Sequence, residues 1–361
     1  MQPFPSAART ACAVSGLRSL TLAAAVLIGL VPVASSAQGP PPWSLDLMMR
    51  VGDGITFGPE AVFSPGSGVP SVISDGQGRL AAAFQWFPQT DPAHFDRVAV
   101  MFSNDDGATW STPQPIEIPD LPATFSRPFD PTLAALDDGR IRIYFSSNPN
   151  GQLPLDGDVA TYSAISSDGV HYTFESGVRF GVSERVVIDP AVLRVGDTWH
   201  YTAPIGRPED GAYHGVSTDG LTFTRVADIA SVGGVNWTGN LVAHGTGMRF
   251  YGGSRQGIWW AFSADGSAWS DPSFLSFQGG DPSVAVLADG RSFVIYVGSQ
   301  STPGNPGLPP RLPRRLRATR RLGSMRAWSH CPGCRRLVPS RTGWRSARHL
   351  AATMCSMRRW A

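Results

Sequence analysis

The sequence predicts an all-β fold: a five-bladed β-propeller closed by N- and C-terminal half-blades, placed after a signal peptide and before a basic, non-repeating tail. Three observations lead there. Glycine (40) and proline (31) make up about a fifth of the 361 residues, too many breakers for long helices, while a 42% hydrophobic content is too high for disorder. A Ser-x-Asp-Gly turn followed by an aromatic residue recurs along the middle of the chain. So does an Asp-Pro step at the head of an apolar, β-rich segment.

The chain divides into three parts by charge. The formal net charge is only +2, yet all 28 acidic residues lie between Asp46 and Asp289, and the segment 301–361 holds fourteen arginines and no acid. There is no lysine. Cys12 stands near the start and Cys331, Cys334 and Cys355 in the tail, so the long middle can hold neither a disulfide framework nor a thiolate metal site.

Arg9 and Arg18 precede the apolar run Leu20 to Val33, and Ser35-Ser36-Ala37 follows it. A basic start, a short apolar core and small residues at the end form a secretory signal, with cleavage expected after Ala37. The run is short of the ~20 residues that a membrane span needs, so residues 1–37 are read as removed on export and the chain as secreted, with no stable membrane anchor.

The propeller is expected over residues 43–300. Its turn element appears as Ser166-Ser167-Asp168-Gly169 with Tyr172, as Ser217-Thr218-Asp219-Gly220 with Phe223, and as Ser263-Ala264-Asp265-Gly266 with Trp269. A longer copy runs from Ser103 to Trp110. Glycine supplies positive φ and aspartate bonds the turn backbone, so each copy reads as a hairpin turn. The second element appears at Asp130-Pro131, Asp189-Pro190 and Asp281-Pro282, each followed by a strand, a Gly turn and a second strand. Degenerate copies stand at Val69-Pro70 and Thr238-Gly239. Each unit therefore holds four strands, as a propeller blade does. Blades starting near residues 69, 129, 188 and 238 are complete. The fifth, from Gly280 to Gly298, has only two strands, and the hairpin Met48 to Phe57, with Val51 in the Ser place, supplies the other two.

Ser103-x-Asp105-x-Gly107-x-Thr109-Trp110 resembles the Asp-box, or BNR repeat, of sialidase-type propellers. The Asp-Pro strands resemble those of five-bladed arabinanase-, xylosidase- and fructosidase-type glycoside hydrolases. The resemblance covers roughly residues 46–298 and implies a propeller that acts on glycans. It is incomplete. A sialidase carries six blades, a Tyr-Glu pair and an early Arg-Ile-Pro motif, none of which is found here, and three arginines on the substrate carboxylate, a place that among the loop arginines only Arg127, Arg207 and Arg255 could fill. The arabinanase type places an acid on the first inner strand, where this chain has Val69.

Strand alternation puts the Asp-Pro steps, the links into each blade and the loops Phe87–Arg97, Ser146–Asp158, Pro204–Tyr213 and Gly252–Gly257 on one face. Loops over a rigid scaffold are where function concentrates. Glycoside hydrolysis needs two carboxyls, one of them a proton donor of raised pKa. The expected catalytic set is Asp130 as base or nucleophile, Asp189 as its pKa or orientation partner, Glu184 as acid, and Asp281 as a third channel carboxyl. Arg127, Arg207 and Arg255 are expected to bind substrate, and Trp237 or Trp86 to stack on a sugar ring. The structural alternative is that each Asp merely caps its strand. His200 and His214 lack metal-ligand spacing, so neither metal nor cofactor is expected, and no nucleic acid. A noncatalytic carbohydrate- or protein-binding propeller is the competing function. The tail has three readings: a basic arm, a small element built on Cys331-Pro332-Gly333-Cys334, or a shifted reading frame.

Overall fold

The computed structural model describes residues 45–75, 78–151 and 158–298; the expected signal segment and the arginine-rich tail lie outside these. The described residues form five four-stranded antiparallel sheets. β1 (Asp46–Gly52) and β2 (Ala61–Pro65) come first. Blade one is β3 (Ser67–Ser74), β4 (Leu80–Trp86), β5 (Arg97–Ser103) and β6 (Gln114–Pro115). Blade two is β7 (Phe129–Ala135), β8 (Ile141–Ser147), β9 (Ala160–Ser166) and β10 (Thr173–Phe180). Blade three is β11 (Ala191–Val195), β12 (Thr198–Pro204), β13 (Ala212–Ser217) and β14 (Thr224–Arg225). Blade four is β15 (Gly239–His244), β16 (Gly247–Gly252), β17 (Trp259–Ser263) and β18 (Ser273–Phe274). β19 (Gly280–Val286) and β20 (Ser292–Gly298) complete a fifth sheet in the order β19–β20–β1–β2. Within it, β1 pairs with β20 from Asp46 opposite Gly298 to Gly52 opposite Ser292. No described helix is long and apolar enough to cross a membrane.

The core lies between successive sheets; with each sheet covered on both faces, β4 and β8 are near-continuous buried runs. Between blades five and one, Phe63, Phe84, Trp110 and Phe293 pack together, with Phe63 edge-on to Trp110 at 4.9 Å. Between blades two and three, Tyr144, Trp199, Tyr201 and Phe223 do the same.

Two belts of hydrogen bonds tie neighbouring blades. On four of the five inner strands, the residue two places after the Asp, Val or Thr at the strand head bonds the next blade's backbone. Ser71 Oγ accepts from Leu133 N–H at 2.9 Å and Ser283 Oγ from Val72 N–H at 2.9 Å. Thr132 Oγ1 donates to Pro190 O, and Asn240 bridges both Val284 N–H (3.0 Å) and Val284 O (3.2 Å). Ala191 is the one position of the five without a polar side chain.

The outer belt is made by the Ser-x-Asp-Gly turns. In the fullest copy Ser103 Oγ donates to Asp105 Oδ1 (2.8 Å) and accepts from Gly107 N–H (2.9 Å), while Trp110 Nε1 donates to Gly107 O (3.1 Å). Each turn then docks on the preceding blade. Gly220, at φ 68°, sits so close to blade two that a Cβ would lie 2.8 Å from Tyr144 Oη, and that hydroxyl donates to Gly220 O at 2.8 Å. Gly266, at φ 83°, would put its Cβ 2.6 Å from His214 in blade three. Both φ values belong to the left-handed region that glycine enters without steric cost.

Candidate active site

At the head of each Asp-Pro inner strand the backbone is strained. Asp130, Asp189 and Asp281 have φ of 49°, 55° and 43°, and Val69 has 49°. Pairing slips between Phe129 and Thr132, between Gly280 and Ser283, and between Gly68 and Ser71. Such bulges re-aim side chains, and non-glycine residues at positive φ persist only where their surroundings hold them. At Asp130 and Asp281 the bulge and the proline that follows fix the carboxyl's direction, while Asp189 takes the same positive φ just ahead of Pro190 and β11.

The three converge on a small void that Val69, Pro70, Thr132, Pro190 and Thr238 also line. Its free volume is about 10 Å³, room for about one water. Asp130 is buried, and Asp189 and Asp281 are half-buried in residue exposure. Asp130 accepts a hydrogen bond on Oδ2 from Asp189 N–H at 3.3 Å.

Burial disfavours all three anions. It pushes Asp130 up to about 7, with the charge of Asp281 adding to it; the Asp189 N–H and the nearby Ser146 hydroxyl pull weakly the other way. Ser146 makes no hydrogen bond of good geometry, so burial prevails. Asp189 is raised well above the ordinary carboxylate value by burial first, then by Asp130 and Asp281. Burial raises Asp281 to about 6. These groups titrate as a cluster that keeps protons near neutrality.

A larger cavity of about 490 Å³ opens where the β4–β5 loop of blade one faces the link into blade two. Phe95, Asp96, Arg97, Phe125, Ser126 and Arg127 line it. Asp96 is again at positive φ (60°), and both its oxygens are engaged: Gln85 Nε2 donates to Oδ1 at 2.6 Å and Arg127 Nη2 pairs with Oδ2. Arg127 Nε also donates to Asp96 O at 2.8 Å, so its guanidinium clamps the loop from both sides. Only Pro128 and Phe129 separate Arg127 from Asp130, so their Cα atoms lie at most ~11 Å apart and the cavity stands beside the carboxyl cluster.

The other expected residues are placed differently. Trp237 requires a correction: it is 3% exposed and wedged between Phe250, Trp259 and Trp269 at 4.7 to 5.2 Å, so it is core between blades and offers no ring face to a sugar. Trp86 is half-buried and packed on the core between blades five and one. Glu184 is exposed, at φ 59°, and does not line the void. Arg207 is exposed beside Asp210 at 3.5 Å, and Arg255 is exposed on the β16–β17 loop; neither lines either cavity. The sequence reading passed over Phe95, Asp96, Arg97, Phe125 and Ser126. Its only signal for them was the length of the Phe87–Arg97 loop.

No known sequence family matches the chain, and no curated protein does. Among solved structures it is similar to a protein of unknown function from Dyadobacter fermentans, 21% identical over 64% of this chain and 74% of that one, with a TM-score of 0.45. It is similar to a family 117 glycoside hydrolase from the marine bacterium Zobellia galactanivorans (11% identity, 64% and 84% covered, TM-score 0.46). A further likeness is to a GH43 enzyme from Xanthomonas citri complexed with xylose (14% identity, 66% and 89% covered, TM-score 0.45).

Proposed function

We propose that this protein is an exported propeller acting on glycans as a glycoside hydrolase, its chemistry supplied by Asp130, Asp189 and Asp281. The observation that carries the reading is the convergence of these three carboxyls, with raised pKa values, beside a cavity of sugar-accommodating size. Hydrolysis of a glycosidic bond needs a carboxyl that is still protonated near neutral pH and a carboxylate that has lost its proton. Asp281, raised least far, to about 6, is the better base, and Asp130 or Asp189 the better proton donor. That reverses the role first expected for Asp130 and leaves Glu184 without a part in the chemistry. The sugar sits over the mouth, in the cavity between the first two blades, because the void itself admits no more than about one water.

The Ser-x-Asp-Gly turns support an Asp-box reading of the repeat, with the Asp-boxes acting as staples on the opposite face from the carboxyls. The hairpin near the N-terminus and the last two strands are read as halves of one blade that closes the ring.

The tightness of the void favours a second reading, in which the aspartates are buried strand caps and the face binds carbohydrate without cleaving it. A panel of aryl glycosides, sialosides included, tested with the full chain and with Asp130→Asn, Asp189→Asn and Asp281→Asn, separates the two. Turnover lost in folded variants supports the hydrolase. Glycan binding with no turnover on any substrate supports the binding module.

A further inference from the structure

We infer that the cavity between blades one and two is a subsite for an acidic sugar unit, one carrying a carboxylate or a sulfate, and that Arg97 is the residue that selects it. The inference rests on the glycan reading above and deepens it. It starts from a mismatch of charge. Every acid of the chain lies between Asp46 and Asp289, so the propeller body is strongly anionic. Yet this cavity is lined by two arginines and a single acid.

That acid has no charge to offer a ligand. Asp96 Oδ1 is taken by Gln85 at 2.6 Å and Oδ2 by Arg127. Arg127 is in turn held by Asp96, through the carboxylate and through the 2.8 Å bond from Nε to Asp96 O. It acts as a positioning residue that fixes the loop, not as the free cation first expected of it. Arg97, the next residue and the first of β5, is different. It is exposed, lines the same cavity and has no ion pair among the described residues. The wall therefore presents one uncompensated guanidinium, with a planar fork suited to the paired oxygens of a carboxylate or sulfate.

The remaining lining suits a sugar ring. Phe95 is 37% exposed and packs on Phe87 at 5.7 Å between ring centroids, so the lining includes a supported aromatic side chain. Ser126 also lines the cavity, with its buried hydroxyl held by Ser147 Oγ at 3.1 Å and by Asn148 N–H at 2.9 Å, which fixes this part of the wall. An apolar wall with a few fixed polar groups is the usual make-up of a small-molecule site.

The test is a ligand-observed NMR titration of the full chain at low ionic strength with glucuronate, glucose 6-sulfate and glucose. At least one of the two anions is expected to bind ~10-fold or more tightly than glucose, and that preference should shrink as salt is added. Glucuronate alone identifies a carboxylate subsite, and glucose 6-sulfate alone a sulfate subsite. Arg97→Gln should bring the anions to within ~2-fold of glucose, and Arg97→Lys should keep part of the preference. Equal binding of all three sugars, no binding of any, or an unchanged preference in Arg97→Gln would overturn the proposal. An acidic-sugar preference without hydrolysis leaves this inference standing and removes the hydrolase. Hydrolysis of neutral glycosides with no acidic preference does the reverse.

Discussion

Replacing Asp130 by Asn should stabilise the protein at pH 8 and do little at pH 4. In the folded chain burial lifts this carboxyl to about 7 from an ordinary 3.8. A raised acid binds its proton more tightly when folded than when unfolded. Between the two values the folded state holds a proton that the unfolded chain has lost, so stability falls as pH rises from about 4 through 7. Above 7 the folded protein carries the whole cost of the buried anion. A shift of about three pH units, at ~1.4 kcal/mol each, sets a ceiling of ~4 kcal/mol, and the cluster reduces what one substitution recovers to about 2–4 kcal/mol. Asparagine keeps an oxygen to accept the Asp189 N–H, so the loss of that bond does not mask the gain. Removing the charge also lets Asp189 ionise more easily, since Asp130 is one of the causes of its rise. The measurement is urea unfolding of wild type and variant, followed by tryptophan fluorescence, at half-unit steps from pH 4 to 8.5. The difference between the two curves should open between pH 5 and 7.5. A difference that stays flat across that range would refute the claim that Asp130 is ionised against burial.

Two further outcomes follow from the belts and the buried histidines. Ser283→Ala removes the acceptor of Val72 N–H and leaves that buried donor unpaired, so it should cost about 1–3 kcal/mol in urea unfolding with an unchanged denaturant slope. His200 and His214 stack at 5.6 Å with a 3.3 Å Nδ1···Nε2 contact, and burial, aided by the His200 charge, lowers His214 to about 4. A lowered histidine favours the unfolded state as pH falls from about 6.5, so His214→Phe should gain about 2 kcal/mol at pH 5 relative to its effect at pH 7.5. Equal effects at both pH values would show that the pair is not held neutral.

Much of the scaffold was legible because its signals are local. An apolar, β-rich segment, a Ser-x-Asp-Gly turn and an Asp-Pro step each act within a few residues, and the strands of the complete blades fall where those signals stand. The aspartates were legible for the same reason, since each heads its own strand. Their coupling was expected as well, with Asp189 as the pKa partner of Asp130; the tightness of the void they share was not. It depends on blades two, three and five converging on one axis, across some 150 residues of chain from Asp130 to Asp281. Trp237 shows the limit from the other side. A tryptophan in a link between blades reads alike whether it faces sugar or core, and only the rings of Phe250, Trp259 and Trp269 around it decide.

The cavity is the clearest case of what tertiary structure alone decided. Asp96, Arg97 and Arg127 are ordinary loop residues in the sequence, with no motif around them. Folding brings a loop of blade one against the link into blade two, closes Arg127 on Asp96 and leaves Arg97 without an ion pair among the described residues. Turn chemistry and strand periodicity are properties of neighbouring residues and can be read from their order. Charge balance in a pocket belongs to residues that meet only after the sheets have packed, and no local pattern encodes it.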